Sequence, residues 1–348
     1  MATASHLTAE LDRLASFDAG PFPVISLYLD LRPGANGREQ FEPFLRKELP
    51  GRLDTYRAGS PERKSLEKDA ARIREYVSSL DRSMHALALF ASSGADLFDA
   101  IPLAAPIEGH RLHIAERPHV YPLARLVDRY PRYLALLSDT NSARIFVFAA
   151  NTMVRTEQVE NAKMKHHKQG GMSQARYQRH VENYHLLHAK EVVDAVVRIV
   201  RDEAIGTVLV SGNDVILPLL AEQLPKDVGD RIVDMRKLDV RVPEHEVLAA
   251  TIATLRERDA AGDRERVDQL IGAYRANGLA TVGDANVRRA LELGQVDELV
   301  ITAPPEEHSG ENDLIIRARN TSARVRFIED ASLLASAGSV GAFLRFKI

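Results

Sequence analysis

Tyr133-Leu134-Ala135-Leu136-Leu137-Ser138, Ala143-Arg144-Ile145-Phe146-Val147-Phe148 and the run Met153–Val159 decide how the middle of this chain folds. The first two are apolar runs of strand length, separated by Asp139-Thr140-Asn141, residues that favour a tight turn. The third continues the pattern as the last strand of a meander. A polar, basic stretch, 161–179, follows. After it a helical pattern runs from about His180 to Asp202, with Val193, Val196, Val197 and Val200 inward. Thr207-Val208-Leu209-Val210-Ser211-Gly212 reads as a buried strand ended by a glycine turn. Asp214–Leu224 reads as a helix stopped by Pro225, and Arg231-Ile232-Val233 as one more strand. Val210-Ser211-Gly212-Asn213-Asp214 needs no ligand to explain it, because Asn213 or Asp214 serves as a helix N-cap.

Two further regions flank this one. Upstream, Leu7, Leu11 and Leu14 mark an opening helix, and Val24-Ile25-Ser26-Leu27-Tyr28-Leu29 an alternating strand closed by Asp30, Pro33, Gly34 and Gly37. Residues 61–80 carry Leu66, Ile73, Tyr76, Val77 and Leu80 at helical spacing. His85–Ala91, Leu97–Ala100 and Arg111–Ile114 are strand candidates, so this region reads as α/β with a mixed sheet. Downstream, Pro243 to about Arg275 is one charged helical pattern suited to a solvated bridge. Beyond Gly278, helices at Ala285–Leu293 and Asp313–Asn320 alternate with strands at Leu279–Val282, Glu298–Thr302, Arg324–Ile328 and Ala342–Phe346, a small α/β sandwich. The expectation is an α/β protein of three domains: 1–130, 131–255 and 256–348.

Composition narrows the function classes. The chain has 348 residues, 45% hydrophobic and 27% charged, which excludes a disordered or rod-like molecule. No run of 18 apolar residues occurs, so no membrane span or membrane partner is expected. The first residues lack the basic start and apolar core of a leader, and a cytoplasmic location is expected. No cysteine is present, which excludes disulfides, iron–sulfur clusters, thiolate zinc and cysteine nucleophiles. The net charge of −3 excludes a uniformly basic nucleic-acid coat, and DNA is not an expected partner. Walker, Gly-x-Gly-x-x-Gly and Gly-x-Ser-x-Gly patterns are all missing, so no cofactor is expected.

The chemistry is concentrated in 163–180. This stretch holds five Lys or Arg and three His, with no acid from Asn161 to Val181. Three of the ten lysines of the chain, Lys163, Lys165 and Lys168, lie within six residues. His166 and His167 sit between them. The segment seeks anions, and phosphate is the natural partner. Gly170-Gly171 adds backbone that tolerates positive φ and close approach. Arg176, Tyr177 and Arg179 lead into a helix whose first N–H groups favour the same charge. RNA, or an ester joined to RNA, fits better than a free metabolite. His185, His188 and Glu191 share one helix face, but no second ligand cluster accompanies them and no metal is expected.

Gly170-Gly171-Met172-Ser173 followed by Arg176-Tyr177-Gln178-Arg179 resembles the catalytic loop of archaeo-eukaryotic class-1 translation release factors. Their pattern is Gly-Gly-Gln-Ser, two residues, Arg, an aromatic, one residue, Arg. Gly278–Gly283, Arg289–Leu299 and Gly341–Phe346 are similar to the last domain of Pelota and these factors. The resemblance covers roughly 131–348. It implies an N-terminal decoding-site domain, an RNase H-like middle domain carrying the loop, which agrees with the strand order read above, and a kink-turn-protein-like last domain that contacts a translational GTPase. It implies the ribosome and tRNA as partners.

On this resemblance the catalytic candidates are Gly170, Gly171, Met172 and Gln174. The two glycines thread the loop into a tight RNA cavity, the Met172 backbone N–H faces the oxyanion, and Gln174 orients water. Lys163, Lys165, His166, His167, Lys168, Arg176 and Arg179 are the RNA-binding candidates. Three departures qualify the match. The Asn-Ile-Lys-Ser codon-reading motif is missing, the second codon-reading motif needs a cysteine, and Met172 stands where the family has Gln. The expected function is peptidyl-tRNA hydrolysis on stalled ribosomes without stop-codon reading. The alternative is a Pelota-like or Balon-like factor that occupies the A site for splitting or hibernation without hydrolysis.

Overall fold

The computed structural model describes residues 4–32, 41–80, 86–103, 105, 107, 109–149, 152–160, 174–236, 238–303 and 309–347. They fall into two compact units: Pro131–Arg258, and Met1–Tyr130 together with Asp259–Ile348.

The unit Pro131–Arg258 is built on β5 (Tyr133–Ser138), β6 (Ser142–Ala149), β7 (Thr152–Glu160), β8 (Val208–Gly212) and β9 (Ile232–Arg236), numbered in chain order after the four strands described below. The strand order is β7-β6-β5-β8-β9. β5, β6 and β7 pair antiparallel, while β8 and β9 join in parallel. The parallel additions are made by helical crossovers, α5 (Gln174–Asp202), then α6 (Ile216–Gln223) and the short α7 (Lys226–Gly229). Alternation along each strand sends two apolar sets to opposite faces. Leu134, Leu136, Ile145 and Val147 meet Val192, Val193, Val196 and Ile199 of α5 and Leu220 of α6. Tyr133, Ala135, Leu137, Phe146 and Phe148 meet Val240, Val247 and Leu255, the last two on α8 (Glu244–Arg275). Two turns hold the sheet end. Asp139 Oδ1 accepts from the N–H groups of Asn141 and Ser142, both at 2.7 Å. Gly212 passes so close to β5 that a Cβ there would lie 2.6 Å from the Ser138 carbonyl oxygen. Asn213 Oδ1 then accepts from Val215 N and Ile216 N, at 3.1 and 3.0 Å, and so caps α6.

The other unit holds two sheets. The first orders β3 (Leu97–Leu103), β2 (Ala86–Ser92), β1 (Val24–Asp30) and β4 (Arg111–Ala115). All of its pairings are antiparallel, which corrects the mixed sheet expected from the sequence. β2 and β3 are joined only by the short turn Ser93–Ala95, too short for the crossover that a parallel pair requires. Ile25, Leu27 and Leu29 of β1 pack on α2 (Phe41–Leu53) and α3 (Pro61–Ser78). α1 (Ala4–Ala15) and α4 (Tyr121–Arg129) complete this part. The second sheet orders β10 (Ala280–Val282), β13 (Val340–Leu344), β11 (Val296–Thr302) and β12 (Arg324–Ile328), with only β11 and β12 parallel. It carries α9 (Asp284–Glu292), α10 (Ser309–Asn320) and α11 (Ala331–Leu334). Most boundaries sit within one to three residues of those read from the sequence. The expected turn at Pro33, Gly34 and Gly37 lies outside the described residues.

Within this unit α1 and α4 pack on α10, and α4 packs on β12. Asn312 is the centre of that contact. Its Oδ1 accepts from Val120 N at 2.8 Å and Tyr121 N at 3.2 Å, and its Nδ2 donates to the Pro118 carbonyl at 3.1 Å. From the other side, His119 N donates to Ser26 Oγ and Tyr28 Oη donates to the His119 carbonyl, at 2.9 and 2.6 Å. The turn 118–121 thus satisfies its buried backbone groups with side chains from both parts of the chain. Among the described residues, no helix is long and apolar enough to cross a membrane.

Candidate nucleic-acid interface

The basic stretch connects the last residue of β7, Glu160, to the first residue of α5, Gln174. Lys163, Lys165, His166, His167, Lys168, Gly170, Gly171 and Met172 lie outside the described residues. The structure describes the frame that holds them. Glu160 pairs with Ser142, so the connection leaves the sheet beside the Asp139–Ser142 turn. It returns through a helix of 29 residues.

That helix begins earlier than expected. The sequence pattern placed its start near His180, because Gln174–Arg179 is polar and follows a glycine pair. Gln, Ala and Arg are all strong helix formers, and nothing after Ser173 interrupts them. Gln174 therefore occupies the first helical position and Arg176 the first turn. Arg179 and His180 are exposed one turn further on.

Burial along α5 changes abruptly at His188. Between Arg179 and Leu187 no described side chain is buried, and Leu187 is 60% exposed. From His188 onward the helix packs on the sheet, with Ala189, Val192, Val193, Val196 and Ile199 in the core. Arg179–Leu187 is about 14 Å of helix at 1.5 Å per residue. Val181, Tyr184 and His185 are half-buried there and the other side chains exposed, so this stretch contributes nothing to the core and serves as an arm. The helix has no acidic residue in its first turn, so the positive end of its dipole is uncompensated and suits a phosphate.

His188 sits fully buried at the root of this arm. Burial pushes its imidazole below the ordinary histidine range, against the opposing pull of the Ser142 and Asp139 carbonyls and of the Asp139 and Glu191 charges. Those carbonyls lie near without meeting hydrogen-bond geometry, and neither ring nitrogen has a partner. Glu191, on the same helix, is exposed. Among the described residues, no group of three or more His, Asp or Glu is arranged to hold a metal ion. A crevice between β5, β8 and α8, lined by Leu136, Val210, Ser211, Thr251 and Thr254, has room for about one water molecule, far less than a metabolite needs.

The sequence reading missed Asn312 and the turn it holds, His188 as a buried root, and two helices, α2 and α4. No local signal marks Asn312. α2 carried one, since Phe41, Leu45, Leu49 and Leu53 recur every four residues and are all buried. Pro50 within the helix obscured it.

Residues 118–256 match the family model of bacterial archaeo-eukaryotic release factor family 10. No curated protein matches the chain. Among solved structures, the archaeal translation termination factor aRF1 is 18% identical, covering 99% of this chain and 98% of that one at a TM-score of 0.30. Ribosome-bound archaeal Pelota is 15% identical, covering 100% and 95% at a TM-score of 0.46. Dom34 of S. cerevisiae, a translation termination-like factor, is 9% identical, covering 76% and 87% at a TM-score of 0.44. The family match spans the meander, the basic connection and the arm, and over these residues the chain is similar to the bacterial archaeo-eukaryotic release factors.

Proposed function

We propose that this protein binds the ribosome and hydrolyses the peptidyl-tRNA ester on stalled ribosomes, without reading a stop codon. The observation that carries the reading is the Gly-Gly segment with Gln174 at the head of a long exposed helix, inside the stretch that matches the release-factor family. In the proposed reaction a water oxygen bonds to the ester carbonyl carbon, and the terminal ribose oxygen of tRNA leaves and takes a proton. Gly170 and Gly171 admit the loop to a tight RNA cavity. The Met172 N–H donates to the tetrahedral oxyanion, and Gln174 orients the water. Lys163, Lys165, His166, His167, Lys168, Arg176 and Arg179 hold tRNA and ribosomal phosphates. The terminal ribose 2′-hydroxyl shuttles the proton, so no side chain acts as general base.

The same reading assigns three domains: 1–130 at the decoding site, 131–255 as an RNase H-like domain, and 256–348 as a kink-turn-protein-like domain facing a translational GTPase. The order β7-β6-β5-β8-β9 supports the middle assignment. The place of action is the cytoplasm. One residue favours a second reading. Met172 cannot position water as an amide does. A loop without its chemistry would leave an A-site binder of the Pelota or Balon kind, acting in splitting or hibernation.

Release of labelled peptide from stalled ribosomes, wild type beside Gln174→Ala, tests the choice. The hydrolase reading expects release by wild type and a rate loss on the order of 10²-fold in the variant. Binding of both proteins with release by neither leaves the binder.

A further inference from the structure

We propose that His188 is the positioning residue of the arm: its ring N–H donates to a carbonyl of the turn 139–142 and so fixes the angle at which α5 presents its first turn and the glycine pair before it. The inference rests on the hydrolase reading and deepens it, since it names the residue that aims the loop.

Packing alone does not call for a histidine at this place. The core positions that follow it on α5 are Ala189, Val192, Val193 and Val196, and an apolar side chain at 188 would continue them. His188 is instead fully buried, and both ring nitrogens are sealed from water without a partner in hydrogen-bond geometry. A buried imidazole left so costs as much as a lost hydrogen bond, and a neighbour that accepts its N–H removes that cost. The carbonyls of Ser142 and Asp139 face the ring from the turn. Burial keeps the imidazole neutral, which leaves it one N–H to give. Hydrogen bonds at functional sites are often loose in the free protein and tighten on engagement.

The accepting turn is stiff. Asp139 Oδ1 accepts from the N–H groups of Asn141 and Ser142, both at 2.7 Å, and from Ser142 Oγ at 3.2 Å. Ser138 Oγ, itself buried, donates to the Asp139 carbonyl at 3.1 Å. Beside it β8 comes so close that Gly212 has no room for a Cβ. Ser142 also pairs with Glu160, the last residue of β7. One stiff turn therefore sets where the basic connection leaves the sheet and, through His188, the direction of the helix to which it returns.

The length of the helix makes that direction matter. From His188 back to Gln174 it rises about 21 Å. A tilt of about 3° at His188 moves its head by about 1 Å. A displacement of that size at a reacting group costs on the order of 10²-fold in rate. Between Arg179 and Leu187 no described side chain is buried, so none adds a second fixed point ahead of His188.

Peptide release from stalled ribosomes is measured on wild type and three variants. His188→Leu fills the site without a donor, while His188→Asn and His188→Gln place an amide N–H near the positions of Nδ1 and Nε2. The chain has no cysteine, so His180→Cys on the arm and Ala221→Cys on α6, both exposed, take spin labels in each background. Pulsed electron resonance then reads the spread of arm directions, and release is read on the unlabelled proteins. In His188→Leu the label distances are expected to broaden and kcat to fall on the order of 10²-fold with KM unchanged, and one of the two amides is expected to restore both. Wild-type distances in His188→Leu overturn the proposal. So does failure of both amides to restore them, whether or not the leucine protein stays folded, because the site then needs the shape of the ring and not its donor. Broadened distances with an unchanged kcat overturn the role in the reaction. If wild type itself releases no peptide, the hydrolase reading fails, and the label distances alone uphold or overturn the tie between His188 and the turn.

Discussion

The arm of Pro131–Arg258 and the Asn312 contact of the other unit are two places where this chain gathers polar side chains, and they are built in opposite ways. The arm draws on neighbours in sequence: lysines, histidines and glycines in one run, then a helix whose described side chains are not buried until His188. The Asn312 contact draws on strangers. Asn312 reaches a turn 191 and 192 residues away, and Asp128 reaches Phe327 across 199. The first kind leaves its charges available to a partner. The second turns its hydrogen bonds inward, so it offers little to a ligand. A concentration of charge in sequence therefore points to binding, whereas a concentration of hydrogen bonds in space points to structure and its regulation.

The sharpest way to break the comparison is Gly171→Ala. If the arm exists to deliver a loop into a confined RNA site, a Cβ at 171 should abolish peptide release and leave ribosome binding nearly intact. Peptide release and cosedimentation, measured on the same preparation, check this. Equal release by wild type and variant would remove the glycine from the chemistry. At the other place, Asn312→Ala leaves Val120 N, Tyr121 N and the Pro118 carbonyl without their partner. Unsatisfied buried groups cost about 1–3 kcal/mol each when water cannot reach them. A loss on the order of 3 kcal/mol in urea denaturation is expected, and a loss under about 1 kcal/mol would mean that water already reaches these groups.

The sheets were legible because alternation and apolar runs are local signals. The five strands from Tyr133 to Arg236 and the two parallel additions could be read in order from their residues alone. The antiparallel pairing of the first sheet was less legible, since composition does not distinguish a mixed sheet from a meander. α2 and α4 were hidden by proline: Pro50 inside one, and a proline in the first turn of the other. The start of α5 was hidden by polarity, because an arm without a buried stripe lacks the periodicity by which helices are recognised. The candidate loop was fully legible as a motif, and its lysines stood out by count. The Asn312 contact was not legible at all. An asparagine in a polar run between Glu311 and Asp313 looks like surface, and only the fold reveals that the turn 118–121 lies against it.

The smallest expected effect tests whether the lysines of the arm serve as the comparison says. Lys163, Lys165 and Lys168 replaced together by Ala should weaken ribosome binding by roughly one or two orders of magnitude at moderate salt, and by less as salt rises. Each lysine on a phosphate displaces a condensed counterion, so affinity falls with salt at a slope of about 0.7 to 0.9 per contact. Removing three contacts should flatten that slope by about 2 to 3. The slope is a better measure than the affinity, because it counts ionic contacts and ignores packing lost elsewhere. The Asn312 contact supplies the control. Asn312→Ala changes a neutral, buried side chain, and it should leave the salt slope of ribosome binding unaltered. If the triple variant keeps the wild-type slope across a salt series, the lysines do not meet phosphate. The basic run would then be surface charge without a partner, and the contrast between the arm and the Asn312 contact would lose its first half.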